Sequence, residues 1–384
     1  MVVIRGVSAK SILDSRKEKT VCVTIKTDVG NFSASTPNGK STGKYETKPY
    51  KKSLEEDIKF LKDSQGYFSE EILEKFEDLR RVEDIVDRHI GANTLFALES
   101  AVLKAIAKEQ KKSIWQLINP NAKKLPRLVG NCIGGGKHSS GKSKPDFQEF
   151  LLIPHSKSVE KSFEINKKAK EDVKFLLKEK GKFKGKENDE NAWEVSLNEK
   201  EILEILNKTK LPLGLDVAAS SFSKRKKYIY KNPPLDRTGE EQFDYLSNLI
   251  KNFDLFYIED GFSEDDFCGF AKLLEKFPKT LIVGDDLTVT NYDRLKKAID
   301  NKSINALIVK PNQIGSLLEV SQVCKIAKEK DIKIVFSHRS GETEENILAD
   351  LAFGFGADFF KCGITGKERE AKLKRLIEIE KSLK

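Results

Sequence analysis

Between Leu255 and Gly363, short apolar runs repeatedly end in residues able to do chemistry. LFYIED closes on Glu259 and Asp260, TLIVGDD on Asp285 and Asp286, and ALIVKPN carries Lys310. KIVFSHRSGE carries His338 and Arg339, and DFFKCG carries Lys361. From Glu259 to Asp285, Lys310, His338 and Lys361 the steps are 26, 25, 28 and 23 residues, each the length of one strand followed by one helix. A continuous Val/Ile/Leu/Phe run suits a parallel strand buried on both faces. In barrels of such strands the C-terminal ends share one face, where active sites are built. Carboxylates, an amine, an imidazole and a guanidinium are therefore expected at a single mouth.

The residue types suggest their tasks. Asp216 ends a further run, LPLGLDVA, and joins Glu259 and Asp285 on successive strands. A lone carboxylate at a strand end reads as a cap or an ion-pair partner. Three at equivalent ends offer hard oxygen ligands, which suit Mg2+ rather than zinc. Lys310 ends a buried Leu-Ile-Val run, where desolvation and a neighbouring divalent cation both lower an amine's pKa. It is thus a candidate general base, with phosphate or carboxylate pairing as its competing role. Arg339, Ser340 and Gly341 combine a planar cation, a hydroxyl and backbone N–H groups, a fitting cradle for phosphate or an oxyanion; Lys361 adds a second cation. Glu149 and Glu190 also fall near the mouth, and paired carboxylates that share a proton leave one as a general acid. Taken alone, Glu190 in the acidic run GKENDENAW reads as part of a solvated loop.

Positioning these groups requires a barrel. LPRLVGNCI, FQEFLLIP and LPLGLDVA bring the apolar runs to eight within about 260 residues, the size of a (β/α)8 fold. The first two are separated only by the Gly/Ser/Lys stretch 134–144, too short for a helix, so the barrel is expected to open with an antiparallel ββ step. Residues 157–186 read as a solvated helix and 181–191 as a polar loop over the mouth. Residues 1–122 read as a separate α+β capping domain, with the barrel over 123–384. In that first part, 2–9 reads as a strand, 20–26 and 31–36 as a hairpin about Asp28-Val29-Gly30, and TPNGKSTGKYE as a mobile lid loop. Helices are expected at SLEEDIKFL, capped by Ser53, at 69–76 and at 93–108.

Composition excludes several classes. The net charge of +9 comes from lysines interleaved with glutamates along the chain, the pattern of a charged surface, whereas nucleic-acid binding calls for clustered basic residues with stacking aromatics. Five scattered cysteines, none in CxxC spacing, make neither a disulfide framework nor a zinc site. No run reaches the roughly 18 apolar residues of a membrane span, and no leader pattern opens the chain, so a cytoplasmic protein is expected.

With these residues in place, the sequence resembles the enolases, and archaeal ones more than bacterial or animal ones. ILDSR, the loop ending STG, QEF, LDVAAS, IED, GDDLTVTN, VKPNQIG, SHRSGETEE and KCG stand in the order of enolase signatures, and the GITG ending gives the archaeal likeness. The resemblance implies reversible dehydration of 2-phosphoglycerate to phosphoenolpyruvate by a barrel that opens ββαα. It implies that Asp216, Glu259 and Asp285 hold one Mg2+ and Ser41 of the lid a second. Lys310 would remove the C2 proton and Glu190, supported by Glu149, would protonate the leaving hydroxyl. Arg339 and Ser340 would hold the phosphate and Lys361 the carboxylate, with His138 and His338 completing the pocket. A homodimer or octamer without nucleic-acid or membrane partners also follows from the resemblance. The chain departs from the family where enolases read DEGGFAPN and residues 189–196 read DENAWEVS. Lys40 and Lys137 replace small residues and Gly261 follows IED in place of proline; Lys40 is expected to point outward into solvent. The lost glycines frame the alternatives: an enolase-like binding protein with weakened catalysis, or another acid dehydratase of the superfamily.

Overall fold

The computed structural model describes every residue except Ser41, Glu70, Gly141, Lys142 and Lys384. The chain begins with β1 (Val2–Leu13), β2 (Lys19–Thr27) and β3 (Gly30–Ser35), an antiparallel meander. Its inward positions, among them Val21, Val23 and Ile25, are buried, as the alternation of apolar and polar residues requires. Helix α1 (Leu54–Asp63) starts where Ser53 accepts a hydrogen bond from the Glu56 amide, with Glu55, Glu56 and Asp57 in its first turn; the hydroxyl cap and the acidic turn both offset the unpaired N–H groups there. Helix α2 (Ala92–Glu109) is buried on most of its surface. The helix expected over 69–76 does not form. Ile72–Leu73 instead adds a fourth strand that pairs with Val2 and Val3 of β1, so edge pairing overrides local helical spacing.

Eight strands then close into a barrel: β4 (Arg127–Gly134), β5 (Glu149–Leu152), β6 (Leu213–Asp216), β7 (Tyr257–Glu259), β8 (Leu281–Gly284), β9 (Ala306–Val309), β10 (Lys333–Ser337) and β11 (Phe359–Gly363). β11 pairs with β4 to complete the circle. β5 alone runs antiparallel to both of its neighbours. Two helices, α3 (Val159–Glu179) and α4 (Glu199–Leu206), follow β5 before β6, which gives the expected ββαα opening. Val129, Leu151, Tyr257, Val283, Ile308, Val335 and Phe359 fill the barrel interior, while Leu128, Leu307, Val309 and Phe336 face the outer helices. Both faces are thus covered, the reason these runs read as continuous rather than alternating. No described helix is long and apolar enough to cross a membrane.

The stretch 181–191 is more ordered than a loop. Phe183–Glu187 forms a strand against Trp193–Val195, which itself extends the sheet from Ile133 and Gly134 of β4. The N-terminal part reaches the barrel mouth through an Asn38–Gly341 backbone bridge and through Asn93 at the start of α2. The Asn93 side chain donates to Asn38 (2.9 Å) and accepts from Asn312 (2.9 Å).

Candidate active site

Strand parity assembles the mouth. Side chains two residues apart on a strand share a face, so each interior residue directs a polar residue inward at the mouth. Tyr257 points the way for Glu259, Val283 for Asp285, Ile308 for Lys310 and Phe359 for Lys361. Because β5 runs backwards, its first residue, Glu149, lies at the same end and stands opposite Asp216 in register. Glu259 is the register neighbour of Asp216 on the other side. Except for the fully buried Glu259, these polar residues line a cleft of about 440 Å3 with His138, Glu190, Asp260, Asp286, His338, Arg339 and Ser340.

Ion pairs knit these groups together. The Lys361 ammonium lies 2.9 Å from Asp216, 2.7 Å from Glu259 and 3.1 Å from Glu149, and Lys310 pairs with Asp285. Six carboxylates line the cleft against the three permanent cations Lys310, Arg339 and Lys361. Burial, with Glu190 as a second cause, pushes the Glu149 carboxyl well above its usual range. Burial and Asp216 do the same to Glu259, and burial and Asp285 raise Asp286 to about 8. Such excess negative charge is what a hard divalent cation relieves, and carboxylate oxygens, with no sulfur beside them, outnumber the two imidazoles His138 and His338 in the cleft. Two groups, Glu149–Glu190–His338 and Asp260–Asp285–Asp286, bring their ligand atoms within 4.8 Å of one another. The second group, all carboxylate, fits a magnesium-type ion and shares Asp285 with the expected set, while Asp216 and Glu259 fall in neither group.

Lys310 differs from expectation in its proton affinity. Burial is the largest single influence and lowers the pKa of the amine, but with Asp285, and then Glu259, acting upward the amine sits above its ordinary value. For Asp285 burial acts upward and Lys310 prevails, holding the carboxyl below its usual range. His338 is driven well below its usual value by burial, then by Arg369 and Lys361, so it is a neutral imidazole.

On the opposite wall Glu190 is buried despite its loop position. Its carboxylate accepts from the Asn131 amide at 3.0 Å and lies 3.7 Å from His138 and 3.9 Å from His338. The missing glycines are compensated locally. Asn191 takes the left-handed conformation, φ +60°, which asparagine tolerates better than most residues. The Asn188 side chain accepts from the amides of Glu190 (3.0 Å) and Ala192 (2.9 Å), closing the turn. On the facing strand, a Cβ at Gly363 would stand 2.7 Å from the Glu190 carbonyl oxygen, so glycine there is a condition of the approach.

The lid folds over the cleft. Arg339 donates to both oxygens of Glu46 (3.1 and 3.0 Å) and to Asn312 (3.3 Å), so a carboxylate already rests where an anionic group was expected. The Ser340 hydroxyl accepts from the Lys40 amide (2.9 Å) and from Arg16 (3.1 Å). Lys40 is exposed, as expected, yet its ammonium turns to Asp189 at 2.7 Å, and Asp189 holds His138 Nδ1 at 3.0 Å. Lys137 is exposed. Ser41, expected as a metal ligand, lies outside the described residues.

Several further groups support these residues from behind. Asn131 was visible as a polar residue inside the run LPRLVGNCI, two positions beyond Val129. Asp260 accepts from the amides of Asp285 (3.0 Å) and Asp286 (2.7 Å) and so shapes the next strand end. The Tyr257 hydroxyl donates to Glu259 at 2.5 Å. Arg369, fully buried in α5 (Lys367–Ser382), donates to the carbonyls of Asp189 (3.0 Å) and Ser340 (2.6 Å); nothing in its helical, charge-rich surroundings sets it apart.

Comparison with known proteins bears on this geometry. Residues 122–384 match the family described as Enolase, C-terminal TIM barrel domain. The chain is 37% identical to the enolase of Pyrobaculum aerophilum over 390 residues, covering 94% of this chain and 91% of that protein. It is 37% identical to the enolase of Methanosphaera stadtmanae (99% and 97% covered) and 36% identical to that of Archaeoglobus fulgidus (99% and 97%).

Proposed function

The chain belongs to the enolase family and is a phosphopyruvate hydratase, a hydro-lyase, and from that premise we propose how its residues share the reaction. Lys310 removes the C2 proton of 2-phosphoglycerate. Glu190, with Glu149 beside it, protonates the departing C3 hydroxyl. Of the two carboxyls it is Glu149 that burial and its neighbour hold well above the usual range, so the pair offers this wall a proton. Lys361 meets the substrate carboxylate, Arg339 and Ser340 meet the phosphate where Glu46 now rests on Arg339, and His138 and His338 close the pocket.

Asp216, Glu259 and Asp285 would hold one Mg2+ and Ser41 a second. Ions held there would supply positive charge against the substrate carboxylate, and Lys310, once Asp285 served as a ligand, would be free of the partner that now raises its proton affinity. The same reading divides the chain at 122/123 into a lid-bearing cap and a catalytic barrel. It also makes the protein a cytoplasmic homo-oligomer, a dimer or octamer, acting on small molecules rather than on nucleic acid or membranes.

The observation that supports this reading best is the placement of an amine and a buried carboxyl on opposite walls of one carboxylate-rich cleft. The test follows absorbance in the phosphoenolpyruvate band after 2-phosphoglycerate and Mg2+ are added. Turnover that requires the metal and disappears in Lys310→Ala is expected. Metal-dependent binding of 2-phosphoglycerate without turnover would contradict the assignment.

A further inference from the structure

Behind the turn that carries Glu190 stands a lysine that the proposed reaction does not use. Lys170, on α3, is 1% exposed. Its ammonium lies 2.6 Å from a Glu187 oxygen and 2.5 Å from both the Asn191 carbonyl and the Thr365 hydroxyl. Three acceptors use all the protons an ammonium can donate. The same ammonium sits 4.5 Å from the centre of the Trp193 ring, a cation–π distance, and the Trp193 indole donates back to the Lys170 carbonyl at 2.9 Å. The second oxygen of Glu187 accepts from the Asn191 side chain at 3.1 Å. Apart from the bond to Thr365, whose hydroxyl itself donates to the Asn191 carbonyl at 3.4 Å, these contacts converge on residues 187–193, and the left-handed Asn191 at their centre immediately follows Glu190.

A buried ammonium is costly unless it is paired and fully hydrogen-bonded, and Lys170 meets both conditions. Its partners also explain its place. Where the family has two glycines, this chain has Asn191 and Ala192, and a non-glycine residue held at positive φ needs its surroundings to fix it there. Lys170 grips the Asn191 carbonyl, Glu187 grips the Asn191 amide, and Trp193 covers both. On the reading that Glu190 is the acid, we propose that Lys170 is a positioning residue for it: the ammonium locks the 187–193 turn so that the Glu190 carboxyl meets the leaving group. Lys310 lies on the opposite wall and makes no contact with this network among the described residues, so the two proton transfers depend on Lys170 unequally.

That inequality is the test. In D2O, exchange of the C2 hydrogen of 2-phosphoglycerate reports removal of that proton alone, whereas phosphoenolpyruvate formation also requires the acid. For the full-length Lys170→Met protein with Mg2+, kcat for dehydration is expected to fall about 10- to 100-fold, the effect of a small displacement of a catalytic group. KM should stay within about threefold and C2 exchange should continue near the wild-type rate, because the ground-state contacts and the base are untouched. Glu187→Gln, at a half-buried side chain, should fold in any case and show the same split at about threefold, since it weakens one charge-assisted bond. Unchanged dehydration in both variants would overturn the proposal. So would a parallel fall of exchange, dehydration and melting temperature, which is what a purely structural lysine would give. Absence of both exchange and dehydration in the wild-type protein would instead refute the enolase reading beneath it.

Discussion

Groups on strand ends and groups on loops meet at the same mouth, yet they are held there differently. Asp216, Glu259, Asp285, Lys310 and Lys361 project from a closed ladder of eight strands, where each position is fixed by register and by the alternation of faces. Glu190, His138 and the lid have no ladder beneath them. A chain of side chains holds them: Asn188 and Lys170 under the turn, Asn131 against Glu190, and Asp189 between Lys40 and His138. Strand-borne groups should thus keep their places when neighbours change, while loop-borne groups should lose theirs piecemeal.

The largest effect expected is at the strand-borne base. Lys310→Ala should cut turnover by about 10³-fold or more, within the range for removing a positioned general base, with little change in the far-ultraviolet circular dichroism. A comparable loss accompanied by unfolding would show that the strand ends are not independent of their ion pairs. Glu190→Gln on the loop side should cost about 10²- to 10³-fold in kcat, with KM for 2-phosphoglycerate nearly unchanged.

Away from the mouth, Glu199 gives a pH test of the side-chain ties that hold non-strand segments. Its carboxylate accepts from the Asp146 amide at 2.8 Å, in the segment leading into β5, and burial raises its pKa from 4.5 to about 7. An acid whose folded pKa is raised keeps its proton in the native state after the unfolded chain has released it. Its stabilising contribution is therefore full below pH 4.5 and is lost as pH rises through 7. Relative to Glu199→Gln, the wild-type protein should lose up to about 3 kcal/mol of stability across that window, measured by urea denaturation at several pH values. A flat difference would show the carboxyl ionised in both states. Metal binding should act on the strand side: Mg2+ at 100 times its dissociation constant stabilises by about 2.7 kcal/mol. That gain should vanish in Asp285→Asn and persist in Glu187→Gln, as read by thermal shift with and without EDTA. The smallest effect belongs to the exposed lid pair. Lys40→Ala should change kcat/KM by less than about fivefold, and the difference should fade as salt rises.

The same contrast explains what the sequence could disclose. Apolar runs ending in Glu259, Asp285, Lys310 and Lys361 announce both their strands and their inward direction, because period and parity are local properties. The antiparallel start was legible from the short spacer between two runs. The helix expected over 69–76 failed because pairing with β1 is a long-range event that local spacing does not record. Lys40 and Lys170 look like any other lysines in a lysine-rich chain, and their roles arise from Asp189 and Asn191, distant in sequence and adjacent only after folding. The strong likeness of SHRSGETEE and GDDLTVTN to enolases carried the function, while the DENAW turn could be understood only from the contacts that hold it.

The most direct test of this account compares C2 hydrogen exchange of 2-phosphoglycerate in D2O with phosphoenolpyruvate formation, for Lys310→Ala and Glu190→Gln side by side. Lys310→Ala should lose both, while Glu190→Gln should still exchange the C2 hydrogen but form almost no phosphoenolpyruvate. Exchange surviving in Lys310→Ala, or lost with elimination in a folded Glu190→Gln protein, would contradict the division of labour between strand and loop.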